Sequence, residues 1–159
     1  MNVTIIALGK LKEKYLRDAI DEYTKRLSAY AKTEIIELNP VRLSDNPSDA
    51  EISNALEKEA EEIAKRIPNN SYIFALCIEG KEKSSEAFAE AIKTVTLNGK
   101  SNIVFIIGSS FGLSPKIKAL ADNKLSFSPM TFPHQLMRVM LLEQIYRAFQ
   151  INNNGKYHK

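Results

Sequence analysis

Three short segments hold side chains whose types and spacing could do chemistry. Gly108-Ser109-Ser110-Phe111-Gly112 sets glycines around hydroxyls and an aromatic ring, and glycine lets backbone amides come close to a ligand. It is not the dinucleotide fingerprint G-x-G-x-x-G, whose middle glycine is missing, and no Gly-Lys-Ser/Thr follows to make a P-loop. On its own, a tight turn explains it about as well as a ligand loop. Ser126-Phe127-Ser128-Pro129-Met130-Thr131-Phe132-Pro133-His134 mixes prolines, aromatics and hydroxyls. Such a segment could wrap a flat heterocycle through backbone donors and acceptors; as composition it could equally be a rigid connector. The terminal Gly155-Lys156-Tyr157-His158-Lys159 brings together an aromatic, an imidazole and lysines. These could stack on a base and meet phosphate, although a disordered end is the plainer reading. A turn is also expected at Glu79-Gly80-Lys81. The two histidines, His134 and His158, are far apart and no carboxylate or cysteine spacing completes a site, so no metal is expected. Cys77 is the sole cysteine, which excludes an intrachain disulfide, and its place within Ser71–Ile78 suits a small buried apolar residue.

Each of these segments must be carried by a framework, and the apolar pattern supplies one. Val3–Leu8, Thr33–Leu38, Ser71–Ile78, Asn102–Ile107 and Leu125–Phe127 are strand-like runs. Glu13–Tyr30 places Leu16, Ile20, Tyr23, Leu27 and Tyr30 on one helical face. Asn39–Pro47 is a loop by composition. Ser48-Asp49-Ala50-Glu51 has the capping-box form, and Ile52, Leu56, Ile63 and Ile67 then share a face of a helix ending near Pro68. The acidic stretch Glu57–Glu62 is expected to be its solvated face. Ser85–Val95 turns Phe88, Ile92 and Val95 inward. Ser114-Pro115 opens a short helix, and Pro133–Ile151 is the longest. Strands alternating with helices predict an α/β fold, a mostly parallel sheet with helices on both faces, in one domain spanning 1–159.

The last helix is unusually apolar. Val139-Met140-Leu141-Leu142 sweep about 300° at roughly 100° per residue, and Leu136, Met137, Ile145, Tyr146, Ala148 and Phe149 widen that surface. A sheet covers one side, and a second protomer is the simplest cover for the other. The rest of the composition is ordinary. With 44% hydrophobic and 26% charged residues, the composition is that of an ordinary globular chain and argues against wholesale disorder. A net charge of +3 is too mild to indicate nucleic-acid binding by itself. Val3–Leu8 is too short for a signal-peptide core, and no run approaches the roughly 18 apolar residues of a membrane span. A cytoplasmic location is expected.

Taken together, the segments resemble one family. They are Val3–Lys12, Gly108–Gly112, Leu125–Arg138, Glu143-Gln144-Ile145-Tyr146-Arg147-Ala148 and the end Tyr157-His158-Lys159. The resemblance is to the ribosomal RNA large subunit methyltransferase H family, minimal members of the SPOUT methyltransferases, and it covers the whole chain. It implies a C-terminal trefoil knot and a homodimer. It also implies an S-adenosyl-L-methionine cofactor (product S-adenosyl-L-homocysteine) and methylation of N3 of a pseudouridine in 23S ribosomal RNA of the large subunit. Carried over, the cofactor pocket would use Leu76, Gly108, Phe127, Ser128, Pro129, Met130, Thr131 and Phe132. Tyr157 and His158 would be catalytic, and Arg138 and Lys159 would bind substrate. Lys10, Lys12, Lys14 and Arg17 would extend the RNA-facing surface. The family usually has two adjacent glycines after the fourth strand and a polar residue further on; here Ser109 and Phe111 stand in those places.

Methyl transfer to an imide-type nitrogen requires its anion, since the neutral N–H is a poor nucleophile. A base or a nearby cation can supply it. His158 is a candidate base, Arg138 and Lys159 are candidate cations, and Tyr157 could orient the ring. Two other readings stay open: a SPOUT enzyme with another RNA target, and an α/β module that binds a nucleotide without catalysis.

Overall fold

The strand-like runs are buried because they pair side by side. In the computed structural model, which describes residues 1–159, the strands are β1 (Asn2–Leu8), β2 (Lys32–Leu38), β3 (Ser71–Glu82), β4 (Asn102–Ile107) and β5 (Asn123–Ser126). They form one five-stranded, all-parallel sheet in the order β2-β1-β4-β3-β5. The helices are α1 (Lys14–Leu27), α2 (Asp49–Arg66), α3 (Ser85–Leu97), α4 (Pro115–Leu120) and α5 (His134–Asn152). Strand side chains alternate between two cores, as the pleat demands. Val3, Ile5, Ala7, Phe74, Ile103, Phe105 and Ile107 pack with α1, α3 and α5. Ile6, Leu8, Ile73, Ala75, Val104 and Ile106 pack with α2 and α4. Helices on both faces explain why β4 is apolar without interruption.

Local signals set several element ends. Ser48 and Glu51 form the expected capping box, and Ser114 caps α4 ahead of Pro115. α1 stops at Leu27, short of the expected Tyr30, whose ring leaves the helix to stack on Phe149 at 5.7 Å between centroids. β3 runs on to Glu82. Leu125 pairs with both Leu76 and Lys81, so Cys77–Gly80 bulge out of the ladder instead of forming a turn beyond the strand. Gly80 is required there, because a Cβ would lie 2.7 Å from the Lys124 carbonyl.

Three expectations are corrected. Glu59 does not belong to a solvated acidic face; it is 5% exposed and points inward from α2. Much of the breadth of α5 is covered within the chain, because the helix lies between α1 and α3 and buries Leu141, Leu142, Ile145, Ala148 and Phe149. The apolar flank left accessible is narrower: Leu136 exposed, with Met137, Val139 and Met140 half-buried. Arg138 is also buried, at 1% exposure. Its Nη1 pairs with Glu37 Oε2 at 2.7 Å and its Nη2 donates to the Gly9 carbonyl at 2.6 Å. The guanidinium ties α5 to the ends of β1 and β2, and burial among these partners keeps it from a phosphate.

Candidate functional site

In an open parallel sheet, ligands sit beyond the carboxyl ends of the strands. Here the ends of three neighbours, β4, β3 and β5, surround a cavity of about 360 Å³, within the usual size range of a small-molecule site. The β3 bulge contributes Leu76, Cys77, Ile78 and Glu79. The turn after β4 contributes Gly108, Ser110, Phe111 and Gly112. Leu125–Ser128 and Met130–Phe132 form the third wall, and His134 and Met137 of α5 close it. Seven of the eight residues expected to hold a cofactor line this cavity; Pro129 does not. No sequence signal marks Cys77 or Ile78 for the wall, because the bulge leaves no periodic pattern; Glu79 belongs to the expected turn Glu79-Gly80-Lys81, and His134 ends the expected ligand segment Ser126–His134.

The walls combine apolar surface with unengaged peptide groups. Within the Phe127–Phe132 loop, Met130 N–H donates to Ser128 Oγ at 3.0 Å, while the amides of Thr131 and Phe132 have no acceptor in the chain. The charged side chains on the wall, Glu79 and Lys118, pair with each other. Hydrogen bonding from Lys118 holds the Glu79 carboxyl below its usual range. Burial, and then the Arg138 charge, push the His134 imidazole down, so it is neutral at neutral pH. Burial, and then Glu79, push the Cys77 thiol up. A Cβ on Gly108 would fall against the Gly112 carbonyl, so that glycine is required by the closure of its own turn. Ser109, in the middle of the turn, faces away from the cavity and donates to Glu59 Oε1 at 3.1 Å. Phe111 sits at the mouth, 46% exposed.

The tail is held on its own helix. Tyr157 donates to Glu143 Oε2 at 2.8 Å, its ring meets Tyr146 edge-on, and the Arg147 guanidinium lies 4.7 Å from its centroid. Burial, followed by Glu143, raises the Tyr157 phenol. Burial works to raise the Glu143 carboxyl, but hydrogen bonds from Tyr23, Tyr157 and Arg147 outweigh it and leave the group below its usual value. His158 Nδ1 lies 3.2 Å from Arg147 Nη1, and its Nε2 lies 2.8 Å from Glu86 Oε1. A guanidinium can only donate, so Nδ1 must accept and Nε2–H must donate to Glu86. The lone pair a base would need is therefore occupied in this conformation. A second cavity of about 370 Å³ adjoins the first across the Phe127–Phe132 loop, with Glu143 on its wall. Tyr157, His158 and Lys159 line neither cavity. Lys10, Lys12, Lys14 and Arg17 are exposed near the start of α1. No helix is long and apolar enough to cross a membrane, and no group of three or more His, Cys, Asp or Glu is placed to hold a metal ion.

Known proteins share this architecture. Residues 1–158 match the family described as "Predicted SPOUT methyltransferase". Ribosomal RNA large subunit methyltransferase H of Bacillus cytotoxicus is 54% identical over 159 residues, covering 100% of both chains. The protein of that name from Bacillus thuringiensis is 52% identical over the same span, with 100% of both chains covered. A relative from Methanococcus maripaludis is 57% identical over 159 residues, again 100% of both chains. Among solved structures, "Probable Methyltransferase from Bordetella pertussis Tohama I" aligns with a TM-score of 0.55 at 14% identity, over 92% of this chain and 93% of that one. At that identity the likeness concerns the fold alone. Sheet, terminal cavity and full-length match define the class: the chain belongs to the SPOUT methyltransferase family. Within that class, its full-length relatives place it in the ribosomal RNA large subunit methyltransferase H family.

Proposed function

We propose that the chain is an S-adenosyl-L-methionine-dependent methyltransferase of ribosomal RNA, acting on N3 of a pseudouridine in 23S RNA of the large subunit. It would work in the cytoplasm as a homodimer of one-domain, C-terminally knotted protomers. The observation that carries this reading is the cavity at the ends of β4, β3 and β5, lined by residues of all three segments expected to hold a cofactor, in a chain of this family. The cavity suits such a cofactor. Leu76, Leu125 and Phe127 offer apolar surface to a flat ring, and the Thr131 and Phe132 amides are free to read its edge. When bound, the cofactor supplies a methyl group on a sulfonium.

The chain's own residues bind, orient and exclude water. The Phe127–Phe132 loop would hold the adenosine, and the Gly108–Gly112 turn would close beside it. The reacting nitrogen must be brought in line to about 3–3.5 Å, which is the task assigned to Tyr157 as a platform for the base. Release of His158 from Arg147 would free Nδ1 to accept the proton on N3, and Lys159 would meet phosphate. Because the tail lines neither cavity of its own chain, it would act at the partner's pocket. Leu136, Val139 and Met140 would lie in the interface. The reading of a non-catalytic module drew on the altered glycine turn, and it loses ground because Ser109 points out of the pocket.

Calorimetric titration with S-adenosylmethionine, followed by methyl transfer to ribosomes lacking the modification, tests the proposal. Saturable binding with transfer to the pseudouridine is expected. Binding without transfer to any RNA would favour the non-catalytic module, and transfer to a different nucleotide would favour another target.

A further inference from the structure

Glu59 is a buried carboxylate that no role proposed above uses. It lies on α2, and both of its oxygens are engaged. Oε2 accepts from Val41 N–H at 2.9 Å, and Oε1 accepts from the Ser109 hydroxyl at 3.1 Å. Val41 belongs to the connection from β2 to α2, and Ser109 to the connection from β4 to α4. One side chain, 5% exposed, thus ties together two loops that leave the carboxyl edge of the sheet. Burying a carboxylate is costly unless donors meet it, so both contacts are needed for Glu59 to stay where it is.

The turn it grips needs such a tie. Gly112 N–H donates to the Ser109 carbonyl at 2.8 Å, and the same two residues form an isolated bridge. These bonds close the turn on itself but do not fix its attitude to the sheet. Buried Leu113 holds the far end of the turn, and the Ser109 hydroxyl holds the near end. Of Ile107–Leu113, only Ser109 is off the cavity wall, while Gly108 and Ser110 on either side are on it. The hydroxyl therefore pulls on the outer side of the turn whose inner side faces the ligand space.

We infer that Glu59, acting through Ser109, is a positioning residue for the cofactor: it holds the Gly108–Gly112 turn in the attitude that completes the pocket. This rests on the proposed assignment of the cavity to S-adenosylmethionine. A ligand entering a turn already fixed need not order it, so the tie shows as affinity.

The test is calorimetry with S-adenosylmethionine on the full-length protein, together with steady-state kinetics on ribosomes and hydrogen exchange. Ser109→Ala removes the tie without touching the ligand space. Its Kd and KM for the cofactor should rise about three- to tenfold, the range of one net hydrogen bond. The KM for RNA should stay at its wild-type value, and the Tm should fall by a few degrees because Glu59 Oε1 loses its donor. The Gly112 amide should exchange faster while β4 stays protected. Glu59→Gln can accept from Val41 through its oxygen and donate to Ser109 through its amide, so it should bind as wild type does. Adding Ser109→Ala to Glu59→Ala should weaken binding no further, since the two changes break the same link. A Ser109→Ala protein with wild-type Kd and wild-type Gly112 exchange would overturn the inference, even if wild type binds well. A wild-type protein that takes up no S-adenosylmethionine would instead remove the cavity assignment, and the inference with it.

Discussion

Cys77 reports on the cavity, because the β3 bulge places this half-buried residue on its wall. Burial and Glu79 keep its thiol protonated, and only the thiolate attacks an alkylating reagent. Alkylation followed by intact mass should be slow at neutral pH and quicken as pH rises. Saturating S-adenosylmethionine should slow it by about tenfold or more, the effect of occluding the thiol in nearly all molecules; equal rates with and without the cofactor would place the ligand elsewhere. Arg138 sets a second test. Arg138→Met removes the ion pair and the donor to the Gly9 carbonyl, while Glu37 keeps the Leu11 N–H and contact with water, so stability in urea should fall by about 1–3 kcal/mol. The salt dependence of ribosome binding should not change, whereas loss of a phosphate contact would lower its slope by about 1. The sequence showed the pocket loop well, since glycine, proline and aromatic residues announce backbone geometry locally. It hid Glu59 and Arg138. Glu59 stands in an acidic stretch that looks solvated, and Arg138 is a lone charge in an apolar helix that could reach solvent or a ligand; the burial of each depends on partners 50 and 101 residues away, in the Ser109 and Glu37 contacts.

At the scale of elements, α5 joins the core, the pocket and the tail. Its apolar run sweeps too much of the circumference for one stripe, and that excess was visible in the sequence. What periodicity could not show is that α1 and α3 flank it and take up much of the excess. Only their neighbouring positions in the fold decide that, and helical period says nothing about which helices become neighbours. The remaining flank makes a sharper prediction than the whole helix did. Leu136 is 39% exposed, and Met140 lies one turn on. Leu136→Glu with Met140→Glu should leave the monomer folded by circular dichroism, since neither side chain belongs to the buried set of α5. Sedimentation should show the dimer weakened by at least tenfold, because two carboxylates would have to be desolvated against a copy of themselves. An unchanged association constant would move the interface to another face. The β3 bulge is a comparable case. The run Ser71–Ile78 was legible as a strand, but its resumption at Lys81 beside Leu125 depends on β5 arriving alongside, which no local pattern encodes.

For the whole molecule, the open matter is which pocket the tail serves. In one chain the tail is tied down by Glu143, Arg147 and Glu86, and it lines neither cavity. In the proposed homodimer, an isologous interface through the α5 flank would bring each tail beside the partner, where it would complete the partner's pocket. His158 would have to leave Arg147 before taking a proton, which would couple closure of such a site to arrival of the base. Two disabled chains can decide the point. Deleting Tyr157–Lys159 should abolish methyl transfer while keeping dimerisation and most cofactor binding. Gly108→Val should weaken cofactor binding by more than about tenfold, or roughly 1.4 kcal/mol, because its side chain would press on the Gly112 carbonyl and displace the turn. Mixed under conditions where subunits exchange, the two should recover partial activity, since one site of each heterodimer would hold an intact pocket and an intact tail in trans. Exchange shown by mass spectrometry without recovery would mean that each tail serves its own chain, and Tyr157 and His158 would then have to swing from α5 toward the Phe127–Phe132 loop of the same protomer.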